Sequence, residues 1–263
     1  MDRKEFKQRY GPWALVTGAS SGIGREMAVQ AAARGLNVCL TGRDTRRLEE
    51  VAHEIRAFGV QASWLVADLS TEEGLQAVAT KGASLEVGLL VPAAGFGAGG
   101  PFLATRESEL EDMLRVNCES VTRLVSRLAP AMAGRRRGGI VLFASMLAFH
   151  GVPFAAQYAA TKAYIQSFGE ALAVEMAASG VDVLVSSPGP TESAFAERAG
   201  MNLGRTIAAR DVAAATLAAL GRSPTLLPGA LTKFLHGALA TLPRQGKVRV
   251  MGRIMRGMTQ GAR

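Results

Sequence analysis

A single doubly wound α/β domain is predicted, a parallel sheet of about seven strands covered by helices on both faces. Short β-rich apolar runs alternate with helix-favouring stretches from Trp13 to Leu227. The first such run passes into a helix through a glycine-rich turn, Gly18 to Gly24. The chain of 263 residues is 48% hydrophobic, enough for one full core, and its 30 glycines suit many tight turns.

Trp13–Thr17 is the first strand, and the helix that follows the turn runs from Arg25 to Arg34. Glycines there let a pyrophosphate approach the backbone, where the amides and dipole of the helix meet its charge. Leu36–Thr41 is the second strand, ending at Gly42-Arg43, and Asp44–Phe58 is a charged helix. The third strand, Val60–Ala67, ends at Asp68-Leu69, and the fourth, Val87–Val91, ends at Pro92-Ala93-Ala94-Gly95. From Leu103 to Met132, Leu110, Met113, Leu114, Val121, Leu124, Val125 and Leu128 form an amphipathic stripe with Asn117 inside it. Ile140–Phe143 is the fifth strand, with Ser145 at its carboxyl end. Gly151 and Pro153 break the chain before an alanine-rich helix from about Ala155. Val181–Ser186 is the sixth strand and ends at Pro188-Gly189-Pro190-Thr191. Glu192–Thr206 reads as a lid, Arg210-Asp211 opens a further helix, and Thr225–Leu227 is a seventh strand.

On the helix after Ser145, the i to i+4 spacing puts Tyr158 and Lys162 on one face. A free phenol titrates near pH 10, but a neighbouring cation and the positive end of a helix both favour phenolate. Beside a serine hydroxyl, such a phenol can bond a carbonyl oxygen and protonate it as charge develops. The reaction suggested is carbonyl reduction or its reverse.

The turn reads T-G-x-x-x-G-x-G over Thr17–Gly24, and together with Ser145, Tyr158 and Lys162 it resembles the short-chain dehydrogenase/reductase family. The resemblance covers Trp13 to Thr191, with a similar helix pattern to about Gly221. It implies a Rossmann-like, single-domain nicotinamide oxidoreductase. Gly18, Ser20, Ser21, Gly22, Ile23 and Gly24 would then hold the cofactor's phosphates, and Asp68 with Leu69 would meet the adenine. Ala94 and Gly95 keep the family's backbone contact, although Pro92-Ala93 replaces its usual Asn-Asn. The resemblance also implies that Asn117 holds a water relaying protons to Lys162, and that Lys162 binds the ribose. Pro188 and Gly189 would pack by the nicotinamide, with Thr191 on its carboxamide. No acid ends the second strand, and Arg43 can form a forked contact with a 2′-phosphate, so NADP (NADPH) is expected over NAD. Tyr10-Gly-Pro-Trp13 looks like the fatty acyl and hydroxysteroid reductase branch. Family members are commonly homodimers or homotetramers, and either is expected. A rival reading is an NADP-binding regulatory or scaffold protein without turnover.

The segments Phe96–Phe102, Met146–Phe154 and Ser193–Leu203 suggest a mainly apolar pocket for a hydrophobic carbonyl compound, with Arg198 and Arg205 near for an acidic group. Cys39 and Cys118 have no metal or disulfide spacing, so a reducing compartment and no metal are expected. The charged first ten residues and the lack of a long apolar run point to a cytoplasmic protein. Arg135-Arg136-Arg137 reads as a solvated helix end, without nucleic-acid binding. His150 falls beside the pocket as a surface or packing residue; His53 and His236 have no assigned partner.

Net charge is +8, and the eight cations after Asp211, the last acid, hold the whole excess. Residues 1–228 are expected to form the catalytic domain and 229–263 a basic amphipathic extension. One stripe there is Leu231, Phe234, Leu235, Ala238, Leu239 and Leu242, and a second is Val250, Met251, Ile254, Met255 and Met258, with Arg249, Arg253 and Arg256 set off from it. These stripes either meet an anionic membrane or an acyl-carrying partner, or pack on the domain or an oligomer interface.

Overall fold

The structure, a computed structural model, describes residues 1–192 and 206–260. Strands β1 (Trp13–Thr17), β2 (Asn37–Gly42), β3 (Ala62–Val66), β4 (Val87–Pro92), β5 (Gly138–Phe143), β6 (Val181–Ser186) and β7 (Thr225–Leu226) form one parallel sheet in the order β3-β2-β1-β4-β5-β6-β7. Connections run outward in both directions from β1 and β4. The crevice beyond the carboxyl ends of these two strands is therefore the topological switch point, where an open parallel sheet binds ligands.

The helices are α1 (Arg3–Tyr10), α2 (Gly22–Ala33), α3 (Thr45–Arg56), α4 (Glu72–Ala83), α5 (Glu107–Leu114), α6 (Ser120–Gly134), α7 (Ala156–Ala177), α8 (Ala209–Ala219), α9 (Ala230–Ala240) and α10 (Arg244–Gln260). Alternation along each strand divides the core in two. Val16, Leu40 and Leu89 face Met27 of α2, Leu48 of α3 and Val212 of α8. Leu15, Leu90 and Leu142 face Val78 of α4, Leu124 of α6 and Ile165 of α7. Both faces are thus dry, as the near-continuous apolar strands require.

Three departures from the expected elements have physical causes. The seventh strand is a two-residue pairing with β6, Val185↔Thr225 and Ser186↔Leu226. The helix expected over 103–132 begins with a 3₁₀ turn, Phe102–Ala104, and carries a π-helical turn at Arg115–Glu119 between α5 and α6. The inserted residue shifts the buried face, so Val116 and Cys118 point inward while Leu114 of the expected stripe is 49% exposed, a shift that regular periodicity does not disclose. The charged start is helical because Asp2 accepts from the Glu5 amide while Glu5 accepts from the Asp2 amide, a complete capping box. Its Tyr10 is fully buried, and the hydroxyl donates to Asp182 at 2.7 Å.

The second tail stripe is partly buried on the body of the domain. Met251 and Met255 cluster with Val152, Ala155 and Ala159, while Ile254 stays 43% exposed. The interior of the expected lid, Ser193–Leu203, Arg198 and Arg205 lie outside the described residues.

Candidate active site

The glycine turn is locked to the end of β4. Gly18 has φ +63°, and a Cβ on it would fall 2.8 Å from the Ala94 Cα, so only glycine lets the two segments lie this close. Thr17 Oγ1 accepts from the Ala94 amide at 3.0 Å, which ties β1 to the Ala94-Gly95 backbone where the usual asparagine is missing. Ser21 occupies the N-cap of α2 but makes no side-chain capping bond. The first-turn amides of α2, beside Gly22 and Ile23, are left facing the crevice, a fit for a phosphate group.

Parallel register carries the next strand ends alongside, Thr17↔Thr41 and Gly42↔Val66. Arg43 extends from this edge with its side chain 59% exposed, one nitrogen 3.8 Å from Asp68. Burial would raise the Asp68 carboxyl, but hydrogen bonds from the Ser70 amide and hydroxyl, both at 2.9 Å, and the charge of Arg43 hold it below its ordinary value. Ser20 Oγ lies near Gly42, and Arg47 from the first turn of α3 lines the same edge. Arg47 escaped the sequence reading because nothing in its helical context separates it from an ordinary surface cation.

Ser145 follows β5, and its hydroxyl accepts from the Leu147 amide at 3.2 Å. Tyr158 stands in the first turn of α7, as expected, and is 9% exposed. The expectation that its neighbours favour phenolate is not met. Burial pushes the phenol up to about 12, opposed only in part by a hydrogen bond with Ser145. Desolvation is the larger effect, so Tyr158 is a neutral donor near pH 7. Lys162 Nζ donates to the Phe143 carbonyl at 2.9 Å and lies 5.7 Å from the Tyr158 ring centroid. Burial lowers this ammonium to about 8.

Asn117 sits in the π turn, 1% exposed. Its amide nitrogen donates to the Phe96 carbonyl at 2.8 Å and to Thr161 Oγ1 at 3.0 Å, and its oxygen accepts from the Phe96 amide at 3.1 Å. The side chain thereby stitches the segment after β4 to α7.

One cavity of about 640 Å³ brings the predicted residues together. It is lined by Gly18, Ser20–Gly24, Arg43, Asp68, Leu69, Ala94, Gly95, Ser145, Tyr158, Lys162, Pro188 and Thr191. Asn117 stands behind this wall, and Gly189 turns toward α9, where a Cβ would fall 2.6 Å from Thr232 Oγ1. Arg106, Glu109 and Asp112 add a charged rim that the sequence did not single out. His150 is 8% exposed and packed, with burial lowering its imidazole. No group of acids, histidines and cysteines able to hold a metal occurs among the described residues.

The model of the short chain dehydrogenase family matches residues 12–203. Among curated relatives, a very-long-chain 3-oxoacyl-CoA reductase of Podospora anserina is 35% identical over 66% of this chain and 53% of its own length. The 7beta-hydroxysteroid dehydrogenase of Clostridium sardiniense is 33% identical over 71% of this chain and 72% of its own. The chain thus spans about half the length of the fungal reductase. A solved 7beta-hydroxysteroid dehydrogenase superposes with TM-score 0.86 at 27% identity, covering 94% of this chain and 98% of the other. A Sphingobium yanoikuyae short-chain dehydrogenase in complex with NADPH gives 0.78 at 28% identity, over 89% and 97%. With the glycine turn, the buried Tyr158–Lys162 pair and Ser145 on one crevice at the switch point, the chain belongs to the short-chain dehydrogenase/reductase family of oxidoreductases and resembles its fatty acyl and hydroxysteroid reductase-like branch.

Proposed function

We propose that this chain is an NADP-dependent reductase, or the reverse dehydrogenase, acting on a carbonyl or secondary alcohol of a hydrophobic compound. The observation that carries the reading is the convergence of a neutral buried phenol, a serine hydroxyl and a lysine on the cavity that also receives the glycine turn and Arg43. The uncapped start of α2 and the volume of the crevice fit a dinucleotide. Gly18–Gly24 would hold its pyrophosphate, Arg43 with Arg47 a 2′-phosphate, Asp68 and Leu69 its adenine, Lys162 its ribose, and Pro188 and Thr191 its nicotinamide end. A bound nicotinamide supplies the hydride for a carbonyl carbon, or takes one up in the reverse direction.

Tyr158 donates its proton to the substrate oxygen as negative charge develops there, and Ser145 holds that oxygen by a second hydrogen bond. The Lys162 ammonium, charged below about pH 8, stabilises the phenolate left behind and is returned to one position by the Phe143 carbonyl. Asn117 fixes the strand-end segment against α7 and would seat the relay water toward Lys162. Phe96, Val116 and Phe143 give the cavity an apolar part that favours a hydrophobic substrate, in keeping with the very-long-chain acyl and steroid compounds named for two relatives.

The test is NADPH consumption with a panel of small ketones, medium- and long-chain 3-oxoacyl thioesters and steroid ketones, run beside NADPH binding measured alone. Turnover that rises with substrate hydrophobicity is expected. Tight NADPH binding with no turnover on any member would favour the regulatory reading instead.

A further inference from the structure

We infer that α9 and α10 form a docking surface for an anionic lipid membrane. Both helices lie on the segment that follows Ser145. His236 of α9 packs edge-on against Phe149 at 4.5 Å, Thr232 is 1% exposed beside Gly189, and Met251 and Met255 of α10 are buried with Val152, Ala155 and Ala159. Helical periodicity turns the opposite face of each helix away from that shared support.

Those outward faces complement each other as a lipid interface requires. On α9, Leu231, Phe234 and Ala238 recur at i, i+3 and i+7, all exposed, with Phe234 at 71%. On α10, Arg249, Arg253 and Arg256 recur at i, i+4 and i+7 opposite the buried methionines, and Arg256 is steadied by stacking on the Phe154 ring at 5.5 Å. Lys233, Arg244 and Arg253 form no ion pair among the described residues, and no acid follows Asp211 in the sequence. A helix pair anchored by one face, with exposed aromatic and aliphatic side chains and unneutralised cations on the other, matches a surface that is apolar within and anionic at its headgroups. No helix among the described residues is long and apolar enough to cross a membrane, so the contact is peripheral.

The experiment is flotation of the full chain with phosphatidylcholine vesicles, alone or with about one-third phosphatidylserine, at low and high salt. Wild type should float with the anionic vesicles at low salt, lose most of that binding at high salt, and stay in solution with the neutral ones. Replacing Lys233→Gln, Arg249→Gln and Arg253→Gln together removes three cations without touching the Phe154 stack and should weaken the partition about 100-fold. Phe234→Ser alone should weaken it about 10-fold. Far-UV circular dichroism and NADPH binding at wild-type levels establish that the variants are folded, and the wild-type arms decide the matter without them. Wild type that ignores anionic vesicles, or that floats equally with neutral ones, overturns the inference. So does a folded triple variant that floats like wild type, or sedimentation showing that Phe234→Ser abolishes self-association while flotation is absent. None of these readouts depends on turnover.

Discussion

Thr17→Val tests how the site tolerates the lack of the family's usual asparagine. The side chain is fully buried at the end of β1, and its hydroxyl oxygen accepts from the Ala94 amide. Valine keeps the volume and suits the strand, so packing changes little while the acceptor disappears. The Ala94 amide is part-buried and cannot simply turn to water, because the close approach of Gly18 fixes that backbone from the other side. An unpaired group of this kind costs about 1–3 kcal/mol. At roughly 2–4 °C per kcal/mol for a chain of this size, the melting midpoint should fall by roughly 2–12 °C. Thr17→Ser retains the oxygen and should recover much of the loss. Calorimetry gives the midpoint, and fluorescence titration with NADPH gives the functional half: affinity should weaken in Val and return toward wild type in Ser, because Ala94 and Gly95 line the cavity. A Val variant matching wild type in both midpoint and NADPH affinity would refute the role given to this bond.

Tyr158→Phe should leave NADPH binding nearly intact and lower turnover at least about 100-fold, since the proton donor is lost while the phosphate turn remains; retention of half the wild-type rate would remove Tyr158 from its assigned role. Arg43→Ala should narrow the ratio of turnover efficiency with NADPH to that with NADH by about 10- to 100-fold, the worth of a charge-assisted contact, and an unchanged ratio counts against a 2′-phosphate contact. Lys162 has its folded-state pKa lowered by burial from 10.5 to about 8, so between those values the unfolded chain keeps a proton that the folded chain has lost. Its contribution to stability is therefore present above the upper value and lost as pH falls through the lower. The stability difference between wild type and Lys162→Met, from urea titrations across this window, should move in favour of wild type by on the order of 3 kcal/mol as pH rises. A flat difference would show that the ammonium is not desolvated.

The strand, turn and helix order was legible because each apolar run is bounded by glycine, proline or charge, and a parallel sheet buried on both faces demands such runs. The cavity residues were legible for a related reason, since nearly all stand at strand ends, where the chain path alone brings them together. What escaped depends on contacts between distant residues. The pairing of Thr17 with Ala94 spans 77 positions and has no local signature. The π turn around Asn117 shifts the buried face and leaves Leu114 exposed, which a regular 3.6-residue period does not disclose. Tyr158 was misjudged because proximity to Lys162 can be read from spacing, whereas desolvation of the phenol is a property of the packed interior. Helix α1 was hidden by its charge, since its main buried side chains, Phe6 and Tyr10, are too few to make a stripe.

Tyr10 gives the sheet a floor. A Cβ on Gly139 would fall 2.9 Å from its ring, and one on Gly221 would fall 2.8 Å from its hydroxyl, so bare backbone makes the socket that admits it. Asp182, at the start of β6, then receives both that hydroxyl and the forked Arg9 guanidinium, at 2.6 and 2.7 Å. The ring is therefore a plug driven in from the amino-terminal ends of β4, β5 and β6, while the glycine turn, Arg43, Asp68, Gly95, Ser145 and Pro188 follow the opposite ends of the sheet. Loosening the plug would let the strands splay where nothing binds, and the crevice would feel it only through the length of the sheet. Anchorage and chemistry thus occupy opposite poles of the same strands, and a change at one pole reaches the other as altered rigidity rather than altered contact.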